Sequence, residues 1–262
     1  MFRVLFLSFA LLGLGFQAPA VAANAPWRIP VLVYHRFDAG AAGLTTVRLS
    51  VFADQLEWLK TKAIAVLPLH VVTDDITRRA PPGNGLAVAL TADDGHRSVY
   101  SEMYPLLRRY GVHATLFIYP SAISNADWAL TWEQLDEMVG SGLVDVQSHT
   151  YWHPNFNIEK RRLEPEAYRR LVVSQLTLSK SRLETRLGIK VDLLAWPFGI
   201  HDLDLAREAA AAGYVAAFTI ERKPLEAGAD AYALPRFLVT DADSGARFAA
   251  LVMGATGRKA PR

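Results

Sequence analysis

Two short stretches of this 262-residue chain hold residue types that could do hydrolytic chemistry. The first is Ala89-Leu90-Thr91-Ala92-Asp93-Asp94-Gly95-His96, where the apolar run 86–90 ends in two adjacent carboxylates, a glycine and a histidine. A run of this kind, bounded by a turn signal, suits a buried strand. Successive side chains of a regular strand point to opposite faces, so Asp93 and Asp94 could not serve one cavity if the strand simply continued. Gly95 lets the backbone turn sharply, and both carboxylates can then reach the same place by different routes. The competing reading is an Asp-Gly turn carrying a solvated charge pair. The second stretch, Ser148-His149-Thr150-Tyr151-Trp152-His153-Pro154, follows another apolar run that includes Leu143, Val144 and Val146. Histidines four apart can face one point, and Pro154 disfavours helical geometry at His153, which predicts a loop. Two imidazoles and one carboxylate form a common zinc-type ligand set with an open position for water.

The elements that must position these motifs alternate along the chain. Val31-Leu32-Val33-Tyr34 reads as a first strand ending at His35, and 52–59 as a helix with Phe52, Leu56 and Leu59 on one face. Residues 64–67 and 86–90 read as strands, 99–110 as helical and 113–119 as a strand. Thr131-Trp132-Glu133-Gln134 is a capping box opening a helix that Gly140 and Gly142 close. The strand 143–146 then delivers the histidine motif. A long amphipathic helix bearing Tyr168, Val172, Leu176, Leu183 and Leu187 runs to Gly188. After it come a strand at 191–196, a helix at 203–212, strands at 214–220 and 233–239, and a last helix at 246–253. Strand–helix alternation with a polar motif at each strand's far end is the pattern of an α/β barrel enzyme, although the pattern alone does not distinguish such a barrel from other α/β sheets.

Residues 1–23 are not expected to join that fold. Arg3, the apolar stretch 4–16 and the small residues Ala20, Ala22 and Ala23 read as a secretory signal peptide, too short in its apolar core for a comfortable membrane span. The expectation is an exported, periplasmic or secreted protein with no stable membrane anchor after cleavage, and a single catalytic domain over 24–262. There is no cysteine, so neither a disulfide framework nor a lipoprotein anchor is available. A net charge of +2 is too small to argue for nucleic acid.

Thr91-Ala92-Asp93-Asp94-Gly95 resembles the Thr-Phe-Asp-Asp-Gly motif of the polysaccharide deacetylases, a family of metal-dependent carbohydrate esterases. His149-Thr150-Tyr151-Trp152-His153 is similar to that family's His-Ser/Thr-x-x-His motif, and Ala195-Trp196-Pro197-Phe198-Gly199 to its Arg-x-Pro-Tyr-Gly motif with two substitutions. The resemblance spans about residues 30–239. It implies a deformed, seven-stranded (β/α) barrel and hydrolytic removal of N-acetyl groups from a polysaccharide such as poly-N-acetylglucosamine, chitin or peptidoglycan glycan. It further implies one divalent metal ion, zinc foremost, held by Asp94, His149 and His153, with Asp93 as general base. The backbone N–H of Phe198 would face the oxyanion.

The chain departs from that family at two points. The arginine of the third motif, which orients the base, is Ala195 here, and Leu234-Pro235-Arg236-Phe237 lacks the late histidine that supplies the acid. Exported poly-N-acetylglucosamine deacetylases show similar departures, and there an early Tyr-His pair is assigned the acid. Val33-Tyr34-His35-Arg36 fits that role, and Arg236 is the candidate replacement for the missing arginine. His96, His113 and His201 rank lower. Trp196, Phe198, Trp152 and Arg236 are the candidate substrate contacts, because sugar rings present apolar faces to aromatic side chains; core and rim packing is the alternative. Two other functions use the same residues: an O-acetyl esterase, and a glycan-binding relative that has lost turnover.

Overall fold

The computed structural model describes residues 27–78 and 86–256; the signal peptide expected over 1–23 and the basic end 258–262 lie outside them. Seven strands form the path of one curled sheet: β1 (Val31–Tyr34), β2 (Ala87–Asp93), β3 (Ala114–Ile118), β4 (Val144–Ser148), β5 (Leu193–Ala195), β6 (Ala216–Phe218) and β7 (Phe237–Leu238). Their spatial order is β6-β5-β4-β3-β2-β1-β7, and every neighbouring pair is parallel. A short strand, Ala65–Val66, adds alongside Ala87 and Val88. Leu234 makes a parallel bridge with Phe218, so the chain entering β7 reaches back to β6 and the two ends of the sheet approach each other. The expected deformed barrel of about seven strands is the architecture found.

Parallel strands are covered on both faces, which is why they read as continuous apolar runs. All seven residues of β2 are buried. Val31, Ala89, Phe117, Leu193, Ala195 and Phe218 fill the inside of the curl. Leu32, Leu90, Leu116, Val146 and Leu194 face outward onto the helices. With a side-chain period of two, Thr91 and Asp93 continue the inner face that Ala89 begins.

Among the described residues, eight α-helices flank the sheet: α1 (Leu49–Thr61), α2 (Leu69–Arg78), α3 (Tyr104–Tyr110), α4 (Trp132–Gly140), α5 (Phe156–Arg162), α6 (Pro165–Leu187), α7 (Leu203–Ala211) and α8 (Gly245–Ala255). The capping box forms as expected: Gln134 N donates to Thr131 Oγ1 at 3.3 Å, and Thr131 N to Gln134 Oε1 at 3.0 Å. Gly188 closes α6 with φ 64°. Three expectations change. Residues 99–110 divide into a π-helical turn, Val99–Met103, and α3. The strand expected over 233–239 keeps only Phe237–Leu238, since Pro235 has no N–H to donate to a ladder. Helices α2 and α5 were not anticipated, although α5 has a legible start: Asn155 accepts from Ile158 N. No helix among the described residues is long and apolar enough to cross a membrane.

Candidate active site

Asp93 is the last residue of β2, and its side chain lies inside the curl. Asp94 follows with φ 72°, which breaks the alternation and swings the second carboxylate over the same opening. Gly95, at φ 75°, has no room for a side chain: a Cβ there would sit 2.9 Å from Ile118 Cδ1. Past β4, His149 N donates to Ile118 O at 2.8 Å, and the loop turns through Thr150 and His153, both at φ 64°. Phe198, after β5, has φ 57°. Asp94, Thr150, His153 and Phe198 are four of the six non-glycine residues with positive φ among those described. Each such conformation costs on the order of 1–3 kcal/mol, so strain is concentrated where the three motifs meet.

The motifs converge on one point. Asp94 Oδ1 lies 3.6 Å from both His149 Nε2 and His153 Nε2, and the two imidazole centroids are 4.6 Å apart. One donor atom from each of the three residues falls within 4.8 Å of the other two. His149 Nδ1 is 2.8 Å from the carbonyl of Ala195. A proton on Nδ1 donated to that carbonyl leaves the Nε2 lone pair facing Asp94, an arrangement typical of metal-ligating histidines. Burial, reinforced by the neighbouring His149, lowers the His153 pKa to about 4 against the pull of Asp94 and Asp93, which leaves this ring able to donate a lone pair. Two imidazoles and a carboxylate fit a divalent cation. Asp94→Ala and His149→Ala are each expected to abolish stoichiometric binding, measured by elemental analysis, together with the thermal shift that added metal produces in the parent chain. Retention of a full equivalent by both variants would remove the assignment.

Asp93 sits beside this triad, with Oδ2 3.9 Å from His149 Nε2. Arg236, fully buried, clamps it from the other side: Nη1 donates to Oδ1 at 2.8 Å and Nη2 to Oδ2 at 2.7 Å. Burial opposes ionisation of Asp93, but the charge and hydrogen bonds of Arg236, with His149 and His35, hold its pKa at about 2. Thr91 Oγ1 and the Thr219 carbonyl accept the remaining Arg236 contacts at 3.2 and 3.0 Å. Phe117 and Phe218 lie over the guanidinium at 5.1 and 5.9 Å. Arg236 therefore fixes both oxygens of Asp93 from inside the protein, and with its donors engaged there and its side chain fully buried it presents none of them at the surface, unlike the substrate contact expected of it.

His35, just past β1, lines the same cavity of about 240 Å³ as Asp93, Asp94, His149, His153 and Phe198. Its Nδ1 is buried without a partner. Burial lowers the His35 pKa, while the carboxylates of Asp93 and Asp94 act the other way. Phe198, 56% exposed, lines the cavity with its ring against His153 at 4.7 Å, while Trp152, 42% exposed, lies on the histidine loop with its backbone N–H donated to Gln175 Oε1. Trp196 departs from the expectation of a sugar platform. It is wholly buried, packed on Phe156, with Nε1 donating to Tyr232 O at 2.9 Å, so it forms wall rather than contact surface. His96 bonds Ser98 Oγ at 2.8 Å and stacks on Trp128, while His201 lies on the exposed turn after Phe198. Sequence reasoning overlooked Tyr119, whose ring is 5.3 Å from that of His153; its place at the end of β3 was the available signal.

The polysaccharide deacetylase family profile matches residues 81–217, a stretch that contains all three motifs. YxkH of Bacillus subtilis is 27% identical over 227 residues, covering 87% of this chain and 77% of that protein. The poly-β-1,6-N-acetyl-D-glucosamine N-deacetylase of Staphylococcus aureus is 24% identical over 200 residues, 75% of this chain and 68% of its own. Among solved structures, IcaB from Ammonifex degensii superimposes with a TM-score of 0.75 at 26% identity, over 86% of this chain and 97% of that one. The Streptococcus pyogenes deacetylase PplD, bound to acetate, shares the fold with a TM-score of 0.76 at 22% identity, over 88% and 99%. With a matched profile over half its length and that profile's acidic and histidine motifs gathered at the mouth of one curled sheet, the chain belongs to the polysaccharide deacetylase family of hydrolases.

Proposed function

We propose that this protein is an exported N-deacetylase of a poly-N-acetylglucosamine-like polysaccharide that works with one zinc ion. The observation that carries the reading is a single cavity containing a His-His-Asp ligand set, an arginine-clamped carboxylate and a further histidine. The naming of the Staphylococcus aureus relative supports the choice of glycan, and the leader over residues 1–23 supports export.

Asp94, His149 and His153 would hold the ion. When bound, the ion polarises the acetyl carbonyl and acidifies the attacking water. Asp93, ionised at any physiological pH, takes the water's proton on the carboxylate that Arg236 keeps aimed at the opening. A carboxylate this acidic is a weak base, so it serves only for water whose own pKa has been lowered. The Phe198 N–H, presented by its left-handed turn, faces the oxyanion that develops on the acetyl group. His35 delivers a proton to the departing amine, which cannot leave as an anion. Trp152 and the exposed Phe198 ring offer apolar surface to the sugar. A non-catalytic relative would have no use for both the complete ligand set and the clamped base.

Acetate release from N-acetylated glycans, abolished by chelation and restored by zinc, tests the whole reading; an O-acetylated glycan as the sole substrate would overturn it. The role of His35 separates by leaving group. His35→Gln is expected to lower N-deacetylation about a hundredfold while sparing aryl acetate hydrolysis and metal content, because a phenolate leaves without a proton. Equal losses on both substrates would make His35 a structural residue.

A further inference from the structure

A second cavity, of about 520 Å³, lies between α5, α6 and α7, outside the catalytic centre. Its size is that of a small-molecule site. Pro165, Val172 and Leu205 contribute apolar walls. Tyr168, 8% exposed, also lines it, and its hydroxyl is buried with no hydrogen-bond partner. Buried polar groups are seldom left unpaired, so this phenol points to a partner that arrives from outside the protein.

The charges around the cavity cancel in pairs. Arg169 Nε meets Glu208 Oε1 at 2.8 Å, Arg207 Nη1 meets Asp204 Oδ1 at 3.3 Å, and Lys160 Nζ meets Asp202 Oδ2 at 2.7 Å. Such a rim selects neither anions nor cations, yet it offers donors and acceptors side by side. Apolar walls, one buried hydroxyl and a neutral polar rim complement a pyranose ring, which has C–H faces and a hydroxyl edge. The cavity also adjoins the catalytic loops. α5 starts three residues after His153, α7 is capped by Asp202 four residues after Phe198, and the Lys160–Asp202 pair ties the two segments together.

We propose that this cavity is a distal subsite that holds an uncharged sugar unit of the same polysaccharide chain whose acetyl group is removed at the catalytic centre. The proposal rests on the substrate reading above and adds that long chains are gripped where short ones are not.

The test is equilibrium binding of a β-1,6-linked N-acetylglucosamine hexamer and dimer to the full chain, to Tyr168→Phe and to the cavity-filling Val172→Phe, with folding checked by circular dichroism. Tyr168→Phe is expected to weaken hexamer binding roughly fivefold, the worth of one hydrogen bond, and to leave the dimer unchanged. Val172→Phe, if folded, should weaken it further; if it does not fold, Tyr168→Phe decides alone. A hexamer that binds Tyr168→Phe as it binds the parent chain, equal losses for hexamer and dimer, or no hexamer binding to the parent chain would each overturn the subsite. Hexamer binding that depends on Tyr168 but releases no acetate would instead overturn the deacetylase reading and leave the subsite standing.

Discussion

Asp93→Asn is expected to keep one divalent ion per chain while lowering acetate release a hundredfold or more. The amide preserves the shape of the side chain and leaves Asp94, His149 and His153 untouched, but it cannot accept the proton of the attacking water. General base catalysis contributes roughly 10²–10⁴-fold, so the loss should be confined to turnover and not to metal content. One complication follows from the clamp. Arg236 donates to both Asp93 oxygens, and an amide nitrogen in place of one of them would face a guanidinium N–H. The variant should therefore also be less stable, and its rate has to be compared per equivalent of folded, metal-loaded protein. Turnover near that of the parent chain under those conditions would remove Asp93 from the base role.

Arg236→Met should destabilise the fold more than any surface substitution. Arg236 is fully buried and Asp93 nearly so, and removal of one partner leaves the other charge buried without compensation. Breaking such a pair costs about 3–5 kcal/mol, whereas replacing both partners by uncharged groups is often close to neutral. The double variant Asp93→Asn with Arg236→Met is accordingly expected to recover much of the stability lost in Arg236→Met, while remaining inactive. The pH dependence has a definite sign. Asp93 is held at about 2, below its ordinary 3.8, so the pair's contribution is complete above 3.8 and is lost as pH falls through 2. Urea unfolding at neutral pH should separate the parent chain from Arg236→Met widely, and the gap should shrink on acidification. A gap that is small at neutral pH would mean that the clamp adds little to the fold.

Strand identities were legible because a buried parallel strand is written as an uninterrupted apolar run, and the motifs at their ends were legible because a turn into a cavity needs its own residues. Gly95 shows this at the level of atoms: the side chain of Ile118 leaves no room for a Cβ. Pro154 likewise excluded a helix at His153, and the loop found there has φ 64°. Helix α5 was less legible because Phe156 is the one residue it buries, so it carries no apolar stripe. The aromatic residues were the least legible. Trp196 and Trp152 both sit in motifs, yet one is wholly buried and the other is 42% exposed, and nothing in local composition separates them.

By itself, the amino-acid sequence determined the candidate ligand residues, the paired carboxylates, the strand ends that carry them and the missing third-motif arginine, each of which is encoded within its own stretch of a few residues. Only the tertiary structure decided what occupies the place of that arginine. Arg236 lies 143 positions beyond Asp93, and the two meet because the sheet curls until the chain before β7 bridges β6, with β7 itself paired to β1. The same curvature turns the Ala195 carbonyl onto His149, brings His35 to the cavity and buries Trp196. Periodicity and turn chemistry act locally, whereas a guanidinium finds its carboxylate through the closure of the whole sheet.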